Sequence, residues 1–150
     1  MKLTILGCGP AASQLPCGPS RYPPAYLVEV GDLKILFDCS EGVRFRLEQA
    51  GHNYADIHHV ALTHSHPDHN ALVHYIQAVY LHGLWGGIKN PELHIYCPKP
   101  ILDTFYRLLE IYSPVLAGYP YPRLVFHDIS SGGGGSLKIS DQVILASRSV

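Results

Sequence analysis

The sequence predicts an α+β fold of mixed α/β layers. Short apolar runs rich in Val, Ile and Leu alternate along it with segments of helical periodicity. The 150 residues are 47% hydrophobic and 15% charged, which suits one packed domain and excludes a disordered chain. No stretch approaches the roughly 20 consecutive apolar residues of a membrane-spanning helix. The N-terminal run Leu3-Thr4-Ile5-Leu6 is too short for a secretory signal core, so no membrane partner and a cytoplasmic location are expected.

Leu3 to Leu6 reads as the first strand, and the Pro- and Gly-rich stretch from Gly7 to Pro24 as a long loop. Ala25 to Val30 and Leu33 to Phe37 flank Gly31-Asp32 and predict a tight hairpin that delivers Asp38 to a strand end. Ser40 is the expected N-cap of a helix carrying Val43, Leu47 and Ala50, which Gly51 stops. Ile57 to Thr63 reads as a strand. The segment from Asn70 to about His82 reads as a helix with Leu72, Val73, Ile76, Val79 and Tyr80 on one face, ended by Gly83 and Gly86-Gly87. Leu93 to Cys97, Pro98 to Tyr112 and Leu124 to His127 follow as strand, helix and strand. The run Ser130 to Ser136 is expected to be a hairpin loop. Beyond it come a short strand from Leu137, a turn at Ser140-Asp141 and a longer strand reaching Val150. With no repeat and no shift in composition, residues 1–150 read as one domain or part of one.

Four cysteines without a CxxC pair argue for reduced, structural thiols. A net charge of −1 gives no global attraction to a polyanion. The unusual feature is ten histidines, most of them between His52 and His74.

Thr63-His64-Ser65-His66-Pro67-Asp68-His69 places three imidazoles and a carboxylate directly after an apolar strand. Neutral imidazole and carboxylate are preferred ligands of zinc and similar divalent ions. His64 and His66, two apart, share one side of an extended backbone, while Asp68 and His69 turn back at a helix start and can face a second ion. A metal-bound water loses roughly eight pKa units relative to bulk water, and a nearby carboxylate can take its proton, so metal-assisted hydrolysis is the matching reaction class. His52, His58 and His59 read as surface residues, His127 as an edge or core histidine, and Arg44 and Arg46 as a solvated helix face.

The HxHxDH loop resembles that of the metallo-β-lactamase superfamily, and Ile35-Leu36-Phe37-Asp38-Cys39-Ser40-Glu41-Gly42 resembles its strand-ending aspartate motif. Leu6-Gly7-Cys8-Gly9, the Arg21 region, Tyr26-Leu27-Val28-Glu29 and the spacing to Asp38 are most similar to ribonuclease Z and related phosphodiesterases. Two positions depart from the usual pattern: Ser40 where the aspartate motif carries Gly, and Asn70-Ala71 after the last histidine.

The resemblance implies an αββα sandwich of which residues 1–150 are the N-terminal half, the later ligand-bearing segments lying beyond Val150. It implies that His64 and His66 bind a first metal and that Asp68 and His69 bind a second. It further implies that Asp68 is the catalytic proton acceptor and that Asp38 holds the metal loop from behind, with Thr63 as a candidate brace. Two Zn2+ ions are expected in the full-length enzyme, with Mn2+ or Fe2+ as substitutes. The expected activity is a metal-dependent phosphodiesterase, with RNA as a candidate substrate. The alternatives are a lactonase, thioesterase or β-lactamase-like hydrolase of the same fold, or a catalytically incomplete, self-associating fragment. A bare sheet face would drive such a fragment into a homo-oligomer that is inactive or weakly active alone.

Overall fold

The computed structural model describes residues 1–10, 21–86, 92–116, 123–130 and 135–148. Strands β1 (Lys2–Gly7), β2 (Ala25–Val30) and β3 (Leu33–Phe37) form an antiparallel meander. The turn between β2 and β3 is closed by Gly31 at φ 58°, a conformation that glycine adopts without steric cost. From β3 the chain alternates. Helix α1 (Val43–Gln49), a single 3-10 turn (Tyr54–Asp56) and β4 (His59–Ala61) are followed by α2 (Leu72–Gly86), β5 (Leu93–Cys97), α3 (Lys99–Leu116) and β6 (Leu124–Asp128). Strands β3 to β6 pair in parallel, and the six-stranded sheet has the order β1-β2-β3-β4-β5-β6. Strands β7 (Ser136–Ser140) and β8 (Val143–Ala146) form a separate antiparallel ribbon.

Alternation along the strands sorts side chains onto two faces. Leu27, Leu36, Val60 and Ile95 point to one side. There they pack with Val43 and Leu47 of α1, Leu72, Tyr75, Ile76 and Val79 of α2, and Ile101, Leu102 and Phe105 of α3. On the opposite face Ile35, Ala61 and Tyr96 meet Leu145 of the ribbon, with Phe37, Leu137 and Val143 around them. The ribbon covers only part of that face, and Leu3, Ile5 and Ile144 remain exposed. Among the described residues no helix is long and apolar enough to cross a membrane, and Cys8, Cys39 and Cys97 are free thiols. Cys17 lies outside the described residues.

Several local expectations are corrected. Ser40 does not cap α1: its hydroxyl donates to the Pro23 carbonyl at 3.2 Å, and Gly42, at φ 74°, stands at the N-cap without a side-chain hydrogen bond. Gly83 does not end α2, which continues through it to Gly86, and Gly83 is buried. A helical glycine costs about 1 kcal/mol relative to alanine, which packing on the sheet outweighs. The strand expected over Ile57 to Thr63 narrows to β4, because Ile57 closes the 3-10 turn. The hairpin loop expected over Ser130 to Ser136 falls mostly on residues 131–134, outside the described residues; of the strands on either side, β6 pairs with β5 and β7 with β8. The final strand stops at Ala146 rather than reaching Val150.

The parallel register also assembles a group the sequence did not suggest. His59 sits opposite His94 on the neighbouring strand, and Tyr96 opposite His127, all on the ribbon side of the sheet. The rings stack, His59 on His94 at 4.9 Å and Tyr96 on His127 at 4.5 Å between centroids. Burial pushes the Tyr96 phenol up to about 12, so it stays protonated, and its hydroxyl is hydrogen-bonded to His59 Nδ1 at 2.9 Å. His94 Nδ1 and His127 Nε2 share a proton at 2.9 Å. These histidines, with half-buried His58 beside them, are therefore not free surface residues.

Burial, and then the neighbouring His94, His58 and His127, lowers His59 to about 4 from an ordinary 6.5. The unfolded chain thus binds more protons than the folded one between those values. The stability this group contributes is complete above pH 6.5 and is lost as pH falls through about 4. A urea midpoint that drops between pH 7 and pH 4.5, with a shallower drop in His59→Gln, is the expected result. An identical pH profile for the variant would refute the assignment.

Candidate metal centre

The candidate loop is built where two parallel strands end side by side. Asp38 follows β3, Thr63 comes two residues after β4, and the Asp38 N–H donates to the Ala61 carbonyl at 2.8 Å. Asp38 is 2% exposed, and it is the one non-glycine with positive φ, 57°, among the described residues. A left-handed aspartate costs free energy and persists where surrounding bonds fix it. Those bonds are on its carboxylate. Oδ1 accepts from the Thr63 N–H at 2.8 Å and Oδ2 from His69 Nδ1 at 2.7 Å, while the Thr63 hydroxyl lies 2.8 and 2.9 Å from the two oxygens.

The other end of the loop is tied to the same strand. Cys39 forms a parallel bridge with Asn70: its N–H donates to the His69 carbonyl at 2.9 Å, and its carbonyl accepts from Ala71 N–H. Inside the loop the His69 N–H donates to the His66 carbonyl at 3.0 Å, which folds Pro67 and Asp68 into a turn. The Asn70 side chain accepts from the Leu72 N–H at 3.4 Å at the start of α2. Cys39 is fully buried and its thiol is pushed well above the usual range, so it packs as a neutral group.

This frame brings His64, His66, Asp68 and His69 together. The His64 ring lies 4.6 Å from His66 and 4.0 Å from His69 between centroids, and His69 Nε2 is 3.8 Å from Asp68 Oδ2. Proton placement follows from the partners. His69 donates from Nδ1 to Asp38, and His64 donates from Nδ1 to Thr63 Oγ1 at 2.9 Å, the threonine hydroxyl in turn donating its hydrogen bond to Asp38. Both imidazoles are left with an Nε2 lone pair, the form in which histidine binds a metal. Among the described residues no group of three or more His, Cys, Asp or Glu lies in an arrangement that could hold a metal ion. The donor set, two oriented imidazoles with a third imidazole and a carboxylate beside them, nevertheless fits a divalent ion by its chemistry.

A family model described as "Anti-Pycsar protein Apyc1" matches residues 1–108. The chain belongs to the Apyc1 family. Its relatives also place it among metallo-β-lactamase-fold, ribonuclease Z-like proteins. It is 27% identical over 130 residues to a ribonuclease Z of Bacteroides thetaiotaomicron, covering 87% of this chain and 37% of that protein. The human short-form tRNase Z superposes at a TM-score of 0.65 with 25% identity, over 85% of this chain and 44% of that one. The metallo-β-lactamase fold protein YhfI of Bacillus subtilis does so at 0.64 with 21% identity, over 96% and 56%. The chain thus spans about a third of the length of the curated relatives it matches.

The Apyc1-family chain differs from its sequence reading at residues outside the loop. His52 is no surface residue, being nearly buried 3.8 Å from Glu29. Arg46 is not a solvated cation either: its Nε donates to the Leu6 carbonyl at 3.3 Å and its guanidinium lies 3.8 Å over Tyr22. The Thr63 relay depends on β3 and β4 being parallel neighbours, which no local signal in the sequence announces.

Proposed function

We propose that this chain carries the metal-binding half of a phosphodiesterase of the metallo-β-lactamase fold, residues 1–150 being the N-terminal portion of one such domain. The observation that carries the reading is the buried Asp38 carboxylate, which fixes Thr63 and His69 so that the Nε2 atoms of His64 and His69 are left to bind metal. The ribonuclease Z and tRNase Z names of the relatives support a phosphodiester, with RNA as one form of it.

In this reading His64 and His66 hold one ion, and Asp68 and His69 the other. Zn2+ suits the donors best, and Mn2+ or Fe2+ are alternatives. When bound, the ions supply Lewis-acid charge at the phosphoryl oxygens and acidify water. Asp68 accepts the proton of the attacking water, and Asp38 keeps the His69 proton on Nδ1.

Metal content and hydrolysis of bis-p-nitrophenyl phosphate, measured beside a thioester and a lactone, test the reading. The protein is expected to hold a transition metal and to prefer the phosphodiester. Changing His64 and His66 together to Ala is expected to lower both metal content and turnover by about two orders of magnitude. Undiminished turnover in the double variant rejects the site, and preference for the thioester or lactone selects the other hydrolase class.

A further inference from the structure

A cavity of about 280 Å³ adjoins the loop. Its walls include Ser40, Glu41, Arg44 and Phe45 on one side and Ala71 and His74 on the other, so that Glu41 is the one acid in a wall that also carries Arg44. The first group follows Asp38 and the second follows His69, so the Cys39 to Asn70 bridge that closes the candidate metal centre also positions the cavity. We propose that this cavity seats the single nucleotide flanking the scissile phosphodiester, with Arg44 on its phosphate and Phe45 against its base. The proposal rests on the phosphodiesterase reading above and names the part of the substrate that the loop itself does not hold.

Three observations converge on that occupant. Arg44 is partly buried and, like Lys34 and Arg46, has no carboxylate within ion-pair distance among the described residues. Its guanidinium contacts the Phe45 ring, at 5.1 Å from the centroid. A partly desolvated guanidinium without an acid suits a phosphate oxygen, because its donors form a planar fork that matches phosphate. Phe45 is 57% exposed although it is a large apolar ring. An uncovered aromatic beside a cation is the platform on which bases stack. The volume lies near the lower end of small-ligand pockets, which run from about 300 Å³ upward, so it suits one nucleotide and not a duplex.

Adenosine 5′-monophosphate is the probe, titrated into the full chain in EDTA so that the metal loop takes no part. Binding is followed by calorimetry and by amide chemical shifts. Saturable binding is expected, with shifts centred on residues 40–45 and 71–75. Ribose 5-phosphate, which lacks the base, is expected to bind about tenfold or more weakly, as are Phe45→Ala and Arg44→Gln toward the intact nucleotide. His127→Gln, on the far face of the sheet, is expected to bind as the parent does.

Both cavity side chains are at least partly exposed, so unchanged melting temperatures will show that the variants fold. Absence of saturable binding, shifts centred elsewhere, or equal affinity in Arg44→Gln and Phe45→Ala would overturn the proposal. If the nucleotide binds with these dependences while the metal-loaded protein hydrolyses no phosphodiester, the cavity stands and the catalytic reading falls. If hydrolysis is found and nucleotide binding ignores both side chains, the cavity assignment alone falls.

Discussion

Replacing Asp38 with Asn is expected to leave the fold nearly intact and to weaken metal binding by roughly 10–100-fold. Asparagine tolerates the left-handed backbone found at φ 57°. Its carbonyl can still accept from the Thr63 N–H, which lies 2.8 Å from Asp38 Oδ1. Its amide N–H would then face His69 Nδ1 where a carboxylate oxygen now accepts at 2.7 Å, setting donor against donor. The imidazole relieves this by moving its proton to Nε2, and the lone pair proposed to bind metal is lost.

Asp38→Ala is expected to do worse. It leaves the Thr63 N–H, the Thr63 hydroxyl and His69 without their shared acceptor; these groups are only partly shielded from water, so the loss is about 1 kcal/mol or less for each. It also keeps the Cβ on a left-handed backbone while removing the polar side chain whose bonds compensate for it. Zinc titration and thermal melting of the two variants separate the effects: the Asn variant should lose affinity at nearly constant melting temperature, and the Ala variant should lose both. Parental zinc affinity in Asp38→Asn would show that the carboxylate does not set the histidine tautomer.

Ile95→Ala is expected to be the most damaging substitution away from the loop. Ile95 is fully buried in the middle of β5, opposite Val60 on one side and Phe126 on the other, beneath the helices. Truncating it removes the transfer energy of three carbons and leaves a cavity that a sheet held on both edges cannot close. Such changes cost about 2–5 kcal/mol, a large part of the roughly 5–15 kcal/mol that holds an ordinary domain together. Urea unfolding should therefore show a strongly lowered midpoint or no folded baseline. Ile144→Ala provides the contrast, since Ile144 is 68% exposed on the ribbon and should shift stability by no more than about 0.5 kcal/mol. Similar losses in both variants would refute the placement of Ile95 in the core.

Strands β2, β3 and β5 begin and end where their apolar runs do, because those runs are bounded by Gly31-Asp32, Asp38 and Pro98 and nothing competes for them. The start of α1 was not legible. Ser40 has the chemistry of a cap, yet its hydroxyl is taken by the Pro23 carbonyl, 17 residues earlier. At the end of α2 Gly86 stops the helix as its sequence suggests, but Gly83 does not: it breaks an isolated helix, and here it lies buried within one. In the loop, the identity of His64, His66, Asp68 and His69 as candidate donors was evident from residue type and spacing. Which nitrogen of His64 and His69 is free was not, since that depends on Asp38, which binds His69 from 31 residues away and holds Thr63, the partner of His64, from 25.

The sequence by itself determined the alternation of strands and helices, the strand-to-helix context of HxHxDH, and the chemistry its side chains can offer. These follow from local periodicity and from ligand type, which neighbouring residues specify among themselves. The tertiary structure alone decided which strands lie side by side, and with that the coupling of Asp38 to Thr63 and His69 and the alignment of His59, His94 and His127 across β4, β5 and β6. The physical reason is register. A parallel ladder is fixed by helices packing across the whole sheet, so the meeting of residues distant in sequence is a property of the assembled core and not of any one segment.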